Sequence, residues 1–288
     1  EIDGEVVEVS VSAGVAVWPH DATCMQELMK CADLALYACK SETRKSPCSF
    51  RPEMRSRADA RSIMLELADA ALREDRIWAH YQPKVCLKTG TLIGMEALLR
   101  WEHPHEGLQP PAAIAAAFEN PELAVKITDR ILDCIIHDVR TWLDTGLHFG
   151  RIAFNASAAD LARGNFATRV LSRLDKENIS PQHLELEVIE TVLMGRKPAH
   201  VSDMLGKLNR AGMTIALDDF GTGYASLSHL NQFPVDVLKI DQSFVRALST
   251  AHRATDEAII KAIIGLARNL GIQTIAEGIE LPEEAQRL

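Results

Sequence analysis

The chain has 288 residues, 47% of them hydrophobic, which is enough for a sizeable core in one large domain with an added fragment or in two modest domains. Its formal net charge of -9 at pH 7 argues against a nucleic-acid polymer or an anionic membrane surface as the partner, because both need a basic face. The six cysteines include no CxxC pair and no uncharged apolar run approaches the length of a membrane span, so we expect a cytoplasmic protein with reduced thiols and no membrane insertion in this segment.

Residues 1–50 predict a strand from Val6 to Val17, a turn, and a helix from about Met25 to Ser41. So short a piece cannot build a proper core alone. The runs SVSAGVAVWP and CADLALYACKSE resemble the closing third of a GGDEF diguanylate cyclase domain. We therefore expect a C-terminal fragment of a GGDEF-like domain without the strand and loop that would carry its signature, so that no cyclase activity is expected. A generic strand and amphipathic helix is the alternative.

Residues 51–76 predict a connecting helix. Met54, Ala58, Leu65, Ala68 and Leu72 recur at helical spacing, whereas the charged residues between them are expected to form a solvated face.

From residue 77 to 288, short apolar strands alternate with longer helical patterns, which favours a parallel α/β sheet. The predicted strands are Ile77 to Lys84, Leu92 to Trp101, Arg151 to Ser157, Leu184 to Glu190, Thr214 to Asp219, Val237 to Asp241 and Gln273 to Glu277. The predicted helices are Leu123 to Leu143, Phe166 to Asn178, Pro198 to Ala211 and Thr255 to Leu270. This rhythm is compatible with a closed barrel or with a doubly wound open sheet.

Polar residues follow strand after strand at the carboxyl ends, where a (β/α) barrel carries its active site. Strand alternation also places Glu96, Leu98 and Arg100 on one face of an apolar strand. Taken singly, such residues can form a structural ion pair, cap a helix, head a turn or extend a charged tip to solvent. Their repetition on successive strands favours a barrel whose mouth binds cations.

The expected donors are carboxylates and one amide, a hard oxygen set that suits Mg²⁺ or Mn²⁺ better than zinc. Pleating should send the adjacent Asp218 and Asp219 in different directions, so that one could bridge two ions while the other holds only the second. Two divalent ions together activate water and stabilise the leaving oxygen of a phosphodiester. The pattern therefore predicts a phosphoesterase with two bound ions.

The chain from about residue 55 onward resembles an EAL-domain cyclic di-GMP phosphodiesterase. The signature EAL lies at 96–98 within GMEALLRWEHP. The motif HYQP precedes it, and five motifs follow it in the family's order: FNAS, LELEVIET, DDFGTGYASLSHL, LKID and AEGIE. The resemblance implies a TIM-like (β/α) barrel of the EAL type, preceded by the short α/β fragment and the connecting helix. It also implies hydrolysis of cyclic di-GMP to linear pGpG.

The resemblance implies roles for individual residues. The implied metal ligands are Glu96, Asn155, Glu187, Asp218 and Asp219. The implied catalytic residues are Lys239 beside the hydrolytic water, Glu277 at the second metal, and Glu190, which would brace the loop Phe220 to Leu230. The implied substrate contacts are Gln82, Leu98, Arg100 and Asp241. The loop Phe220 to Leu230 is also expected to form a homodimer contact.

The sequence departs from the EAL family pattern at three places, one of which is the segment Pro110 to Val125, shorter than the usual lid region after the second strand. Ile189 stands where the family usually has threonine, and the chain stops at Leu288, so we expect a barrel truncated before its last strand. These departures keep open a catalytically silent module that binds cyclic di-GMP or a partner protein. A third hypothesis is a metal-dependent barrel enzyme that acts on another phosphate ester.

Overall fold

The computed structural model describes residues 11–41, 46–190, 198–221, 232–248 and 253–288. The chain divides into two compact units, residues 1–67 and 68–288. No helix in the described part of the chain combines the length and the apolar character needed to cross a bilayer.

The first unit contains a small α/β arrangement. Strand β1 (Gly14–Val15) pairs in parallel with β2 (Cys48–Ser49), and α1 (Met25–Ser41) occupies its predicted range. A side chain at Gly14 would place a Cβ only 2.1 Å from the carbonyl oxygen of Ala32, so this residue must be glycine for β1 to approach α1. Helix α2 (Pro52–Arg73) begins in this unit and ends in the second.

The second unit is built on one curled sheet of the TIM-like (β/α) barrel type. Its strands are β3 (Ile77–Val85), β4 (Leu92–His103), β5 (Gly107–Gln109), β6 (Arg151–Asn155), β7 (Leu184–Ile189), β8 (Thr214–Phe220), β9 (Val237–Ile240) and β10 (Gln273–Ala276). The order is β10-β9-β8-β7-β6-β4-β3, with β5 attached to β4. The strands from β4 along this order to β10 are parallel, which brings their carboxyl ends to one rim.

Strand β3 departs from the predicted parallel sheet, because it runs antiparallel to β4. The connection between them is a tight turn in which the amide of Cys86 donates to the carbonyl of Thr91 at 2.9 Å. So short a link can join antiparallel neighbours, whereas parallel neighbours need a long crossover. The antiparallel direction puts the start of β3 at the rim and Lys84, near its end, deeper in the barrel.

The helices of the second unit lie between successive strands, except for the last, which follows β10. After the end of α2 they are α3 (Ala115–Glu119), α4 (Pro121–Asp144), α5 (Ala158–Ala162), α6 (Phe166–Lys176), α7 (Pro198–Arg210), α8 (Gln242–Ala247), α9 (Arg253–Leu270) and α10 (Pro282–Arg287). Local capping starts α4, where the Asn120 side chain accepts from the amides of Glu122 and Leu123 at 3.0 and 3.2 Å. The four helices predicted for residues 77–288 correspond to α4, α6, α7 and α9.

The turn into β6 depends on Gly150. Its φ is +68°, and a Cβ there would lie 2.2 Å from the carbonyl oxygen of Ile93 at the start of β4. Only glycine allows both the left-handed backbone and this close approach. The turn sets the register in which Glu96 on β4 lies beside Ala153 on β6, two residues before Asn155, so it helps to bring Glu96 and Asn155 to one level of the barrel.

Candidate active site

A buried ammonium group lies at the centre of the barrel mouth. The Nζ atom of Lys239, on β9, is 2.6 Å from Glu277 Oε1, 2.8 Å from Glu187 Oε2, 3.1 Å from Asp218 Oδ1 and 3.4 Å from Glu96 Oε2. The Lys239 side chain is 1% exposed. Carboxylates from four separate parts of the sheet therefore meet around one positive charge.

Asn155, the last residue of β6, lies between two of these carboxylates. Its Nδ2 donates to Glu96 Oε1 at 3.4 Å and to Glu187 Oε2 at 3.3 Å. The strand register explains the contact, because Asn155 lies opposite Glu187 on the neighbouring strand β7. If the amide group is turned by 180°, its oxygen takes the place of the nitrogen beside the two carboxylates, where it could serve as a further hard ligand.

Asp218 and Asp219 both contribute to the same group, although pleating was expected to send their side chains in different directions. One ligand atom from each of Asp218, Asp219 and Glu277 lies within 4.8 Å of the others, a spacing that could hold a metal ion. The backbone explains the convergence. Asp219 has a left-handed φ of +54°, and the β8–β9 register shifts between Leu217 and Phe220. This irregularity interrupts the alternation of side chains. We call Glu96, Glu187, Asp218, Asp219 and Glu277 the carboxylate cluster.

The carboxylate cluster carries more negative charge than Lys239 can balance. Burial raises the pKa of Glu187 to about 8, although the charges of Lys239 and Lys84 act to lower it. Burial also raises the pKa of Glu277, and burial together with the charge of Asp218 raises the pKa of Asp219. Burial would lower the pKa of Lys239, but its carboxylate neighbours outweigh that effect and raise the pKa above its usual value.

The site's own chemistry therefore fits divalent cations. The donors are carboxylate oxygens and an amide oxygen, which are the ligands of Mg²⁺ and Mn²⁺ and not of a thiolate-rich zinc site. Added positive charge would also relieve the repulsion that contributes to the raised pKa values of Glu187 and Asp219.

Lys84 and Glu185 form a second, deeper ion pair that the sequence analysis missed. Lys84 Nζ is 2.6 Å from Glu185 Oε1 and 3.7 Å from Glu187 Oε1, and the exposed fractions of the three side chains are 10%, 4% and 0%. The alternation of side chains along each strand could have identified this pair from the sequence. Lys84 lies two residues after Gln82, and Glu185 two residues before Glu187, so each shares a strand face with a residue of the predicted site.

The predicted substrate residues on β3 and β4 line one face beside the carboxylate cluster. Gln82 is exposed and lies opposite Glu96 in the strand register, and Leu98 and Arg100 follow on the same face of β4. Arg100 is half-buried, and its Nη1 donates to the carbonyl of Leu99 at 2.7 Å.

Asp241, which is predicted to contact the substrate, also stabilises the start of a helix. It caps α8, with its carboxylate accepting from the amide of Ser243 at 3.0 Å and from the Ser243 hydroxyl. Burial acts to raise the pKa of Asp241, but these hydrogen bonds outweigh burial and lower it. The Asp241 charge faces Asp219 and contributes to the raised pKa of that carboxyl.

Two predictions concern the segment after β7 and the loop after β8. Glu190 is buried directly after β7. Most of the loop it was predicted to brace, Phe220 to Leu230, lies outside the described residues, as does the predicted dimer contact there.

Ile189 is 40% exposed and lies opposite Asp218 in the register, so the replacement of the family's threonine puts an apolar side chain at the barrel mouth.

Fold and site together define a TIM-like barrel whose mouth can hold divalent cations among oxygen ligands. The comparison with known families makes the assignment specific: residues 65–288 match the EAL domain, and the chain belongs to the EAL domain family. The match begins inside α2 and covers the rest of the chain.

Relatives and solved structures agree with this assignment. The chain is 39% identical over 287 residues to the bifunctional diguanylate cyclase/cyclic di-GMP phosphodiesterase MucR of Pseudomonas aeruginosa, covering 100% of this chain and 41% of MucR. It is 34% identical over 283 residues to the cyclic di-GMP phosphodiesterase NbdA of the same organism, covering 98% of this chain and 36% of NbdA. The structure of the PaMucR phosphodiesterase in complex with c-di-GMP matches with a TM-score of 0.73 at 38% identity, covering 78% of this chain and 90% of that one. The chain thus spans less than half the length of both curated relatives.

Proposed function

We propose that this chain is a cyclic di-GMP phosphodiesterase that opens the cyclic dinucleotide to linear pGpG with the help of two Mg²⁺ or Mn²⁺ ions. The observation that carries the proposal is the convergence of Glu96, Glu187, Asp218 and Glu277 on the ammonium of Lys239. The names of MucR and NbdA, and the c-di-GMP in the PaMucR complex, support the choice of substrate.

The two ions would be held by different parts of the site. One set of ligands would be Glu96, Asn155, Glu187 and Asp218, and the other would be Asp218 and Asp219 with Glu277. When bound, the ions supply the positive charge that activates water and neutralises the phosphate oxygens. The donor chemistry and the short distances among Asp218, Asp219 and Glu277 support this division.

The chain's own residues would orient the phosphodiester and stabilise its charge. We assign Lys239 an electrostatic role, because the carboxylates around it raise its pKa and keep its ammonium protonated at neutral pH. Arg100 would bind a phosphate oxygen through its planar guanidinium. Gln82 and Leu98, which share the barrel-mouth face of β3 and β4, would contact the dinucleotide, and Asp241 would contribute from the start of α8.

The proposal is tested by incubating the purified protein with cyclic di-GMP and either Mg²⁺ or Mn²⁺, followed by chromatography of the product. Glu96→Ala should abolish hydrolysis, because it removes a carboxylate that lies 3.4 Å from Lys239 Nζ and would bind a metal. Glu122→Ala is the matched control, since it removes an exposed carboxylate paired with Lys126 on α4. Unchanged cyclic di-GMP at high protein concentration, or a near-normal rate in Glu96→Ala, contradicts the proposal.

A catalytically silent receptor is the competing function, motivated by the apolar side chain of Ile189 at the barrel mouth. Ca²⁺ separates the two, because it can support ligand binding without turnover. A protein that binds cyclic di-GMP with Ca²⁺ and leaves it intact with Mg²⁺ and Mn²⁺ is a receptor. Hydrolysis of a generic phosphodiester without hydrolysis of cyclic di-GMP would indicate a different phosphoesterase.

Several finer assignments stay predictions. They are the GGDEF-like fragment at residues 1–50, the connecting helix at 51–76, the homodimer through Phe220 to Leu230 and the cytoplasmic location.

A further inference from the structure

The ion pair between Lys84 and Glu185 lies below the carboxylate cluster and touches one of its members from the opposite side. Strands β3 and β7, which carry the pair, are separated by β4 and β6 in the strand order. The 2.6 Å contact between Lys84 Nζ and Glu185 Oε1 therefore crosses the interior of the curled sheet. Both side chains are almost fully buried, and burying two charges there is costly enough to need an explanation.

The two oxygens of Glu187 face different cations. Oε2 lies 2.8 Å from Lys239 Nζ and accepts from Asn155 at 3.3 Å, on the side of the carboxylate cluster. Oε1 lies 3.7 Å from Lys84 Nζ and accepts no hydrogen bond from the described residues. The Glu187 carboxylate is therefore oriented with one oxygen toward Lys84 and the other toward the predicted metal ligands.

We propose that Lys84 is a positioning residue for the metal site: it holds Oε1 of Glu187 away from the mouth, so that Oε2 is presented to a divalent cation. Glu185 fixes the Lys84 ammonium through the shorter contact and prevents it from moving fully onto Glu187. This inference rests on the proposed function, because it assumes that Glu187 ligates the metal.

Groups that orient a metal ligand from behind typically change metal affinity by about 10-fold to 100-fold when they are removed. We therefore expect Lys84→Met to weaken the binding of Mn²⁺ alone, measured by isothermal titration calorimetry, by about 10-fold or more. Lys84→Arg should keep most of the affinity, because it preserves a cation at the same position. Lys126→Met is the matched control, since its ammonium forms an exposed pair with Glu122.

A double variant separates positioning from a contribution to stability alone. Lys84→Met with Glu185→Met replaces the buried pair by apolar side chains, a change that proteins often tolerate. If the pair only stabilises the fold, this variant should regain wild-type affinity for Mn²⁺ together with wild-type thermal stability. Positioning predicts that it keeps the weakened affinity of Lys84→Met even where stability is restored.

The possible results are distinct. Wild-type affinity in Lys84→Met, or recovered affinity in the double variant, overturns the positioning role. If Lys84→Met does not fold, the Mn²⁺ affinities of the double variant and of Lys84→Arg still decide between positioning and a contribution to stability alone. If the wild-type protein binds Mn²⁺ but does not hydrolyse cyclic di-GMP, the proposed function is overturned, and the Mn²⁺ affinities of the variants alone decide this inference. A wild-type protein that binds no Mn²⁺ overturns both.

Discussion

Replacing Lys239 by methionine tests the electrostatic account of the site most directly. The variant removes the ammonium that contacts four carboxylates and keeps a side chain of similar length in a position that is 1% exposed. At the observed separations of 2.6 to 3.4 Å, each contact with an ionised carboxylate is worth about 5–6 kcal/mol of Coulomb attraction in an effective dielectric of about 20. The cost of burying the ammonium offsets much of this sum, so that losing one partner of such a group costs about 3–5 kcal/mol.

The expected result depends on metal. Without metal, Lys239→Met should lower the midpoint of thermal unfolding by on the order of 10 °C for a unit of this size. Divalent cations should recover much of this loss, because they supply the missing positive charge to the same carboxylates. Hydrolysis should stay low even with metal bound, since the ammonium would no longer stabilise charge beside the phosphate.

Scanning calorimetry in EDTA and then in excess Mn²⁺, with hydrolysis measured in parallel, provides the test. Lys126→Met serves as the control, because its ammonium forms an exposed pair with Glu122 on the surface of α4. An unchanged unfolding midpoint in EDTA would refute the view that Lys239 balances the carboxylate cluster. Wild-type hydrolysis in Lys239→Met would refute its role in the reaction.

Two further variants and one pH series extend these expectations. Because the pKa of Glu187 is raised to about 8, its protonated form stabilises the metal-free fold at low pH. This contribution to stability is lost as pH rises from about 4.5 through about 8. Mn²⁺ affinity, measured by calorimetric titration, should rise over the same range, because metal binding needs the ionised carboxylate. Glu187→Gln should reduce this pH dependence and abolish hydrolysis while stabilising the metal-free protein against heat. A lower unfolding midpoint would contradict the expectation. Asp219→Asn should unfold close to the wild-type temperature, because asparagine tolerates the φ of +54°. Asp219→Ala should lower the free energy of unfolding, measured with denaturant, by about 1 kcal/mol. Equal stability of the two variants would argue against a left-handed backbone at this position.

The sequence by itself determined most of the secondary structure of the second unit and the polar residues that the structure gathers at the barrel mouth. Hydrophobic periodicity located seven of the eight strands of the second unit and its four longest helices, because such patterns depend only on neighbouring residues. Strand β5 was not predicted. The same alternation put Glu96, Leu98 and Arg100 on one strand face, where the structure has them. The ordered motifs, from the EAL signature at 96–98 to AEGIE at 276–280, identified the family that the comparison confirmed.

Only the tertiary structure decided how these groups meet. Alternation cannot give the direction of β3, which follows from the short turn at Cys86, nor the convergence of Asp218 and Asp219, which follows from a left-handed residue and a register shift. It also cannot show that Lys239 lies among four carboxylates, or that Lys84 reaches Glu185 across two intervening strands. These contacts join residues on different strands, 101 positions apart for Lys84 and Glu185 and 143 for Lys239 and Glu96. Their distances are fixed by the curvature of the whole sheet, which no local pattern records.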